Sequence, residues 1–220
     1  MIGLAANPGP LDVLCLGAHP DDIEIGCGGT LLELARRPAT TVSGVVLTGE
    51  PDRRQEAEGA LPRFFPGASV QVFELPDGRL PTHWGEVKDA LEQVAAEHRP
   101  GLIFAPRPDD AHQDHRLLGR LVSTTWRDSL IMHYEIPKWD GDLRTPTHYV
   151  PVDADSARRK VELLNKSYPS QVYRDWWDDE LYLGFMRVRG TECRSRYAEG
   201  FMATKVLLDM TGGDVDGQLD

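Results

Sequence analysis

Cysteines and long apolar runs are both scarce in this sequence. The three cysteines, Cys15, Cys27 and Cys193, are odd in number and lie far apart along the chain. This pattern argues against a disulfide framework or a thiolate metal site, and it favours a reducing compartment. No segment approaches the roughly 20 apolar residues that span a bilayer, and the start of the chain lacks the basic residues of a signal peptide. We therefore expect a cytoplasmic protein with no membrane partner.

Positive charge is also in short supply. The chain has 24 Lys and Arg residues against 35 Asp and Glu residues, which gives a formal net charge of −11. Such a chain is repelled by nucleic-acid backbones and by anionic membranes, so we expect no nucleic-acid partner. A small anionic ligand stays open, because a few local arginines can override the overall charge. The length of 220 residues is enough for one substantial core.

Short apolar runs rich in β-branched residues alternate with stretches of helical period up to Pro137. The clearest helix places Val87, Leu91 and Val94 on one face, together with Ala90 and Ala95. Strands are predicted at "LDVLCLGA", "TTVSGVVLTG", "ASVQVFEL", "GLIFAP" and "LIMHYEI". This order predicts an α/β fold with a mostly parallel, doubly wound sheet and helices on both faces.

The pattern is less regular after Pro137. We predict one domain over residues 1–220, with a core at about 11–137, an irregular C-terminal cap at about 138–208 and a disordered tail at 211–220. The cap is predicted to contain strands at "HYVPVD" and "FMATKVLL", a helix at 156–166 and a short helix at 181–187. Trp139, Trp176 and Trp177 either pack in this cap, stack on a ligand, or cover an interface in a homo-oligomer.

Polar residues follow two of the predicted strands, at the point where each strand ends. His19, Asp21 and Asp22 follow the first strand in "GAHPDDIEIGCGGT", and His112 and His115 follow the fourth in "PDDAHQDHR". Strands one and four are neighbours in the commonest doubly wound order, and ligands bind beyond their carboxyl ends. The two groups are therefore expected to meet in one crevice.

The glycines of the first group do not form a nucleotide-binding fingerprint. The spacing Gly26, Gly28, Gly29 misses G-x-G-x-x-G, because Leu31 stands at the last glycine position. We interpret these glycines as a tight turn into a helix near residues 30–37, whose free N–H groups can still face an anion.

A metal site agrees better with these residue types. A catalytic zinc ion takes three protein ligands and keeps one position open, and His19, Asp22 and His115 supply two imidazoles and a carboxylate. Zn²⁺ is the first expectation, although such a set also accepts Fe²⁺ or Co²⁺.

Three further residues are candidates for the chemistry. Asp21 is free to act as general base toward water that the metal acidifies. His112 can stabilise an oxyanion or protonate a leaving group. Asp114 can orient His112 or support a metal ligand.

Four weaker candidates lie near the same rim. Arg53 can bind a sugar hydroxyl or a phosphate, or simply pair with Glu56 one helical turn away. Tyr134 and Glu135 follow the fifth strand, where substrate contact and ordinary packing are equally open.

Two motifs carry a resemblance to a known family. "AHPDDIEIGCGG" and "DAHQDHR" resemble the two motifs of the PIG-L/LmbE-like deacetylases, apart from Gln113, where proline is frequent. "TGEPDRRQEAEGAL" is similar to the Arg-x-x-Glu helix of that family. The resemblance implies a Rossmann-like fold and a zinc enzyme that removes N-acetyl groups from glucosamine-containing substrates. It also implies a role for each candidate residue: zinc ligands His19, Asp22 and His115, general base Asp21, electrophile or acid His112, and supporting residue Asp114.

The sequence thus predicts a metal-dependent hydrolase that cleaves the acetamide of a small amino sugar of the N-acetylglucosamine type. Whether Asp21 or His112 protonates the leaving nitrogen stays open. One alternative is an amidase acting on a thiol conjugate or a larger glycoside, and another is a non-catalytic module that binds a sugar or nucleotide. The combination of a metal site with a neighbouring base argues against the binding module.

Overall fold

Seven strands and six helices lie within residues 9–207, which are the residues that the structure, a computed structural model, describes. Strands and helices alternate as far as the fifth strand. The strands are β1 (Leu11–Gly17), β2 (Thr40–Thr48), β3 (Ser69–Leu75), β4 (Leu102–Pro106), β5 (Leu130–Tyr134), β6 (His148–Val152) and β7 (Tyr197–Ala203). The helices are α1 (Asp22–Leu34), α2 (Pro51–Phe64), α3 (Trp84–Glu97), α4 (Gln113–Thr125), α5 (Ala154–Ser167) and α6 (Asp179–Cys193), with a short 3₁₀ helix at Leu80–His83.

All seven strands form one sheet in the order β3-β2-β1-β4-β5-β7-β6. Strands β1 to β5 run parallel to one another, whereas β7 runs antiparallel to both β5 and β6. The strand order reverses between β1 and β4, whose carboxyl ends open onto the same edge. The predicted mostly parallel α/β fold is confirmed, including the adjacency of the first and fourth strands.

The central strand β1 is buried on both faces. Val13 and Cys15 pack with residues of α1, α2, α5 and α6, whereas Leu14 and Leu16 pack with α3 and α4 on the opposite face. Successive side chains of a strand point to opposite faces, so the continuous apolar run is what a strand covered by helices on both sides requires. The predicted doubly wound arrangement is confirmed.

The C-terminal part is more regular than the sequence pattern indicated. The predicted short helix at 181–187 is the middle of the longer α6, and the predicted strand "FMATKVLL" is displaced, since β7 covers Tyr197–Ala203. Strand β7 fills a place between β5 and β6, and this long-range pairing leaves no periodic signal in the sequence. The predicted tail at 211–220 lies outside the described residues, and the limits of a single domain stay a prediction.

Helix α1 begins earlier than expected, and this corrects the interpretation of its glycines. The helix starts at Asp22 and includes all three glycines, with a departure from helical geometry at Cys27 (φ −140°). A Cβ atom on Gly26 would lie 2.3 Å from the ring of Tyr134, and one on Gly28 would lie 2.7 Å from Phe64. The glycines therefore allow α1 to pack closely on its neighbours rather than forming a turn before it.

A buried ion pair caps the second half of α1. After the break at Cys27, the Glu199 carboxylate accepts hydrogen bonds from the N–H groups of Gly29 (2.8 Å) and Thr30 (2.7 Å). Lys160 donates to Glu199 (2.6 Å) and to the carbonyl oxygen of Ile25 (2.6 Å). The N–H groups that the interruption of the helix leaves without intrahelical partners thus donate to a side chain of β7. This contact holds α1 against the sheet.

Helix α2 continues through Pro62, where the sequence suggested an interruption. Proline sits in the last turn of this helix, where few residues follow it, and Leu61 and Phe64 are buried on either side. In the part of the chain that the structure describes, no helix is both long enough and apolar enough to cross a bilayer.

Candidate metal centre and active site

The turn after β1 is locked by the Asp22 carboxylate. Its Oδ2 atom accepts hydrogen bonds from the backbone N–H groups of Ala18 (2.9 Å) and His19 (2.8 Å). The remaining oxygen, Oδ1, lies 3.2 Å from Nε2 of His115, which projects from the first turn of α4. Adjacency of β1 and β4 therefore brings the two sequence motifs together.

The three predicted metal ligands converge. Nδ1 of His19 lies 3.1 Å from Nε2 of His115 and 3.5 Å from Oδ2 of Asp22. Ligands held tetrahedrally at zinc bond lengths of about 2.0–2.1 Å are separated from one another by roughly 3.3 Å. The two separations at Nε2 of His115, 3.1 Å to Nδ1 of His19 and 3.2 Å to Oδ1 of Asp22, are close to this value, so the donor set suits a divalent zinc-like ion.

Carboxylates support both histidines from behind. Nε2 of His19 lies 3.2 Å from Oδ2 of the fully buried Asp114 and 3.1 Å from Oδ1 of Asp77. Nδ1 of His115 lies 3.4 Å from Oδ1 of the buried Asp110. Carboxylates in this position orient metal-binding imidazoles and increase their basicity. The Asp114 carboxylate therefore contacts His19. Of the two roles predicted for Asp114, this geometry favours support of a metal ligand over orientation of the His112 ring.

The same carboxylates concentrate negative charge at the centre. Burial alone would lower the pKa of His115, but Asp22 and Asp110 raise it to about 9. Burial would likewise raise the pKa of Asp22, yet His115 and His19 hold it well below its usual value. The cluster therefore stabilises positive charge, whether that charge arrives as protons or as a metal cation.

Asp21 occupies an unusual backbone conformation beside these ligands. Its φ of 100° lies in the left-handed region, which costs free energy for a residue other than glycine and persists where the surroundings enforce it. Burial raises the pKa of Asp21 to about 6, although Arg53 acts in the opposite direction. A carboxylate with a pKa near the working pH suits a general base.

His112 caps helix α4 with its own ring. Nδ1 of His112 accepts a hydrogen bond from the backbone N–H of Asp114 (3.3 Å), which leaves Nε2 as the protonated nitrogen of a neutral imidazole. Burial and the nearby His115 and His19 lower the pKa of His112 and so favour this neutral form. Its ring lies 4.8 Å from that of His19, at the wall of the same cavity.

One cavity of about 430 Å³ contains the ligands, Asp21 and His112. Trp139 and Trp176 line its outer part, together with Lys138, Gln171 and Arg174. Trp139 is 73% exposed. Trp177, in contrast, is buried in the core and donates from its indole nitrogen to Asn165 (2.8 Å). Two of the three tryptophans are therefore placed where a ligand can reach them.

A family model described as GlcNAc-PI de-N-acetylase, PIG-L, matches residues 14–126. The chain belongs to the PIG-L family. Two curated relatives of this PIG-L protein are named deacetylases. It is 28% identical over 137 residues to the uncharacterized deacetylase YaiS of Escherichia coli K12, covering 57% of this chain and 74% of the relative. It is 29% identical over 125 residues to the diacetylchitobiose deacetylase of Thermococcus kodakarensis, covering 50% of this chain but only 46% of that relative.

Solved structures share the fold of this PIG-L family chain. The N,N'-diacetylchitobiose deacetylase of Pyrococcus horikoshii superposes with a TM-score of 0.70 at 24% identity, covering 87% of this chain and 83% of that one. The 4-carboxy-2-hydroxymuconate hydratase GalB of Pseudomonas putida KT2440 superposes with a TM-score of 0.72 at 18% identity, covering 90% and 98%. Because the second protein is named a hydratase, the fold alone does not define the reaction.

Two of the predicted substrate-binding residues of this PIG-L protein are not at the cavity. Tyr134 is fully buried, packs against Gly26 and donates its hydroxyl to the carbonyl oxygen of Leu16 (2.7 Å). Glu135 is buried in an ion pair with Arg189 (2.9 Å). Tyr134 packs on α1 and Glu135 pairs with a residue of α6, so these side chains lie in the interior rather than at the rim.

The other two predicted substrate-binding residues lie closer. Arg53 lines the cavity, and Glu56 pairs with it at 2.6 Å. Two carboxylates at the site were not predicted from the sequence. Asp77 contacts His19, and Asp110 lies behind His115. Asp110 is the first aspartate of the "DAHQDHR" motif and was detectable from its spacing, whereas Asp77 lies in a plain turn that gives no such signal.

Proposed function

We propose that this protein is a metal-dependent hydrolase that removes the acetyl group from an N-acetylated amino sugar. The observation that carries the proposal is the convergence of two imidazoles and a carboxylate: Nε2 of His115 lies 3.1 Å from Nδ1 of His19 and 3.2 Å from Oδ1 of Asp22, with the buried Asp21 carboxylate in the same cavity. Membership of a family described as a de-N-acetylase supports the choice of bond.

His19, Asp22 and His115 would hold the ion, with Zn²⁺ first and Fe²⁺ or Co²⁺ as further candidates. When bound, the ion supplies Lewis-acid polarisation of the acetyl carbonyl group and makes water more acidic. The carboxylates of Asp114 and Asp110 contact the two imidazoles and would keep them oriented for binding an ion.

Asp21 takes a proton from the attacking water at Oδ1, because its Oδ2 atom is already bonded to Arg53 at 2.6 Å. The water oxygen forms a bond to the acetyl carbon, and Nε2–H of His112 donates to the oxygen that becomes negative. As Nδ1 of His112 is occupied by the N–H of Asp114, the ring has no additional proton to give. Asp21 therefore returns its proton to the nitrogen as the C–N bond breaks, which yields acetate and a free amine.

The tryptophans of the cavity support a choice of amino sugar. Trp139 and Trp176 line the cavity, and aromatic side chains suit the apolar face of a second sugar ring or of an aglycone. We therefore favour an N-acetylglucosamine unit within a disaccharide or glycoside. Because the exposed Trp139 lies at the cavity, a larger substrate also has access, and we retain an amidase on a thiol conjugate or a larger glycoside as the second candidate. The cytoplasmic location and a homo-oligomer stay predictions.

Acetate release from a panel of N-acetylglucosamine mono- and disaccharides, with the zinc-loaded protein, tests the proposal. We expect Asp21→Asn to reduce kcat by about 10²–10⁴-fold with zinc content unchanged, and the exposed Asp52→Asn to leave kcat unaltered. If no acetylated sugar is hydrolysed while a thiol-conjugate amide is, the amidase replaces the deacetylase.

A further inference from the structure

Lys138 lines the cavity from the segment between β5 and β6 (residues 135–147), but its ammonium group bonds to the protein itself. The Nζ atom donates to Oδ2 of Asp110 (3.0 Å), to Oδ1 of Asp142 (2.9 Å) and to the carbonyl oxygen of Ile136 (3.4 Å). An ammonium group has three N–H donors, so these three acceptors use all of them. Lys138 therefore has no donor left for a substrate in the cavity.

Asp110 connects this ammonium group to a proposed metal ligand. Its Oδ1 atom lies 3.4 Å from Nδ1 of His115 and accepts a hydrogen bond from the backbone N–H of His112 (2.8 Å), whereas its Oδ2 atom accepts from Lys138. Asp110 is buried, and a buried carboxylate requires a counter-ion and hydrogen-bond donors. Lys138 provides both, and it thereby holds the carboxylate behind the imidazole.

Asp142 fixes the same ammonium group from the other side. Its Oδ2 atom accepts from the backbone N–H of Ala111 (2.8 Å) and from Nη2 of the buried Arg107 (3.1 Å). The same Nη2 atom also donates to the backbone carbonyl oxygen of Asp142 (2.9 Å). These contacts fasten the segment after β5 to the segment after β4, so the fold itself places Lys138 beside Asp110.

We infer that Lys138, fixed by Asp142, is a positioning residue for the metal centre and does not bind the substrate. It acts through Asp110, which it holds behind His115. The inference rests on the proposed function, because it takes His115 as a ligand of the ion. Partners behind metal-binding imidazoles contribute about 10–100-fold to metal affinity, and Asp110 makes this contribution only while it is held in place. The segment that carries Trp139 at the cavity thus also supports the metal centre.

Zinc titration of Lys138→Met, in competition with a chelator, tests the inference. We expect the zinc dissociation constant to rise by about tenfold, as for the loss of a partner behind a metal-binding imidazole. A role through charge alone predicts the opposite, because the removal of a positive charge near the site favours a cation. A dissociation constant that falls or stays unchanged therefore overturns the inference.

Arg144→Met is the matched control. Arg144 lies on the same segment, but its exposed side chain pairs with the exposed Asp109 (3.4 Å) rather than with Asp110. The same positive charge is lost, and we expect the zinc affinity to stay at the wild-type value. Asp142→Ala leaves Asp110 and Lys138 in the chain but removes the fixed point between them and the end of β4. It is expected to raise the zinc dissociation constant by a smaller factor, and it takes the place of Lys138→Met if that variant does not fold.

A double-mutant cycle tests the contact without zinc or substrate. In EDTA, unfolding equilibria of Lys138→Met, Asp110→Asn and the double variant are expected to show a coupling of about tenfold in the unfolding constant. Additive effects overturn the inference. If the wild type binds zinc but hydrolyses no acetylated sugar, only the proposed reaction fails, and the zinc titration still decides the role of Lys138. If the wild type binds no zinc, the inference and the proposed function fail together.

Discussion

At the scale of the residue, the proposed function gives His112 two roles in one ring. Nδ1 caps α4 by accepting the N–H of Asp114, which leaves Nε2–H available to donate to a substrate. Asparagine is a good N-cap but lacks the second donor. We expect His112→Asn to lower kcat by about 10²–10³-fold and to change the free energy of unfolding by less than about 1 kcal/mol.

His112→Ala removes both roles and serves as the comparison. It is expected to lose a similar factor in kcat and about 1 kcal/mol of stability as well. Acetate release and urea denaturation measure the two effects separately. An Asn variant with wild-type kcat would show that the ring does not assist the reaction.

Also at this scale, the Lys160–Glu199 pair makes a prediction about stability. Both side chains are buried, and Lys160→Met would leave the Glu199 carboxylate without its counter-ion. We expect a loss of about 3–5 kcal/mol in the free energy of unfolding, measured by urea denaturation. Adding Glu199→Gln is expected to recover part of this loss, because the uncompensated buried charge disappears.

Lys88→Met is the less buried counterpart of this change. The half-buried Lys88 pairs with the exposed Glu92 on α3, and pairs open to solvent contribute about 0–1 kcal/mol. Equal losses for the variants at positions 88 and 160 would show that burial of the Lys160 pair has no energetic consequence.

At the scale of the element, α1 depends on glycine for its closeness to β5. Gly26→Ala places a methyl group 2.3 Å from the ring of Tyr134, whose hydroxyl is already bonded to β1. We expect a loss of about 1–3 kcal/mol in unfolding free energy from the overpacking. Zinc affinity should fall as well, because the displaced helix carries Asp22.

Gly59→Ala is the matched change on α2. No atom lies within 4 Å of a Cβ at Gly59, and alanine is the better helix former by about 0.5–1 kcal/mol. This variant should therefore gain stability by denaturation and keep its zinc affinity. If Gly26→Ala changed neither the free energy of unfolding nor the zinc affinity, α1 could move away from Tyr134 without consequence.

The elements also show how far the sequence could predict the molecule. The period of α3 and the apolar run of β1 are local signals, and both elements lie where they were expected. The sequence pattern suggested a turn at Gly26. The ring that requires a glycine there belongs to Tyr134, more than a hundred positions away along the chain. The place of β7 in the sheet and the cap that Glu199 provides for α1 depend on distant partners in the same way.

At the scale of the whole molecule, the sheet order turns two distant motifs into one site. The proximity of the proposed ligands His19, Asp22 and His115 could be predicted, because β1 and β4 are neighbours in the commonest order of such sheets. The contact between Arg53 and Ser170 beside Asp21 could not be predicted. These two residues lie 117 positions apart and meet only after α2 and α5 have packed. Catalytic groups follow from motifs, whereas the residues that hold them follow from the complete fold.

The completed fold also ties metal binding to pH. Without metal, Asp22 and Asp110 raise the pKa of His115 to about 9, above the value of about 6.5 in an unfolded chain. This raised pKa stabilises the metal-free fold fully below about pH 6.5, and the contribution disappears as the pH rises through about 9. A metal ion requires the neutral imidazole and displaces the proton, so its affinity increases over the same interval.

The increase in Tm caused by a fixed concentration of zinc should therefore be larger at about pH 8.5 than at about pH 6.5. Calorimetry with zinc and with EDTA at each pH measures this difference. His115→Gln is expected to lose most of the zinc-induced shift at both values, because one of three ligands is gone. A zinc-induced shift that is constant across the interval would mean that protons and metal do not compete at His115. The ion would then bind elsewhere than between His19, Asp22 and His115.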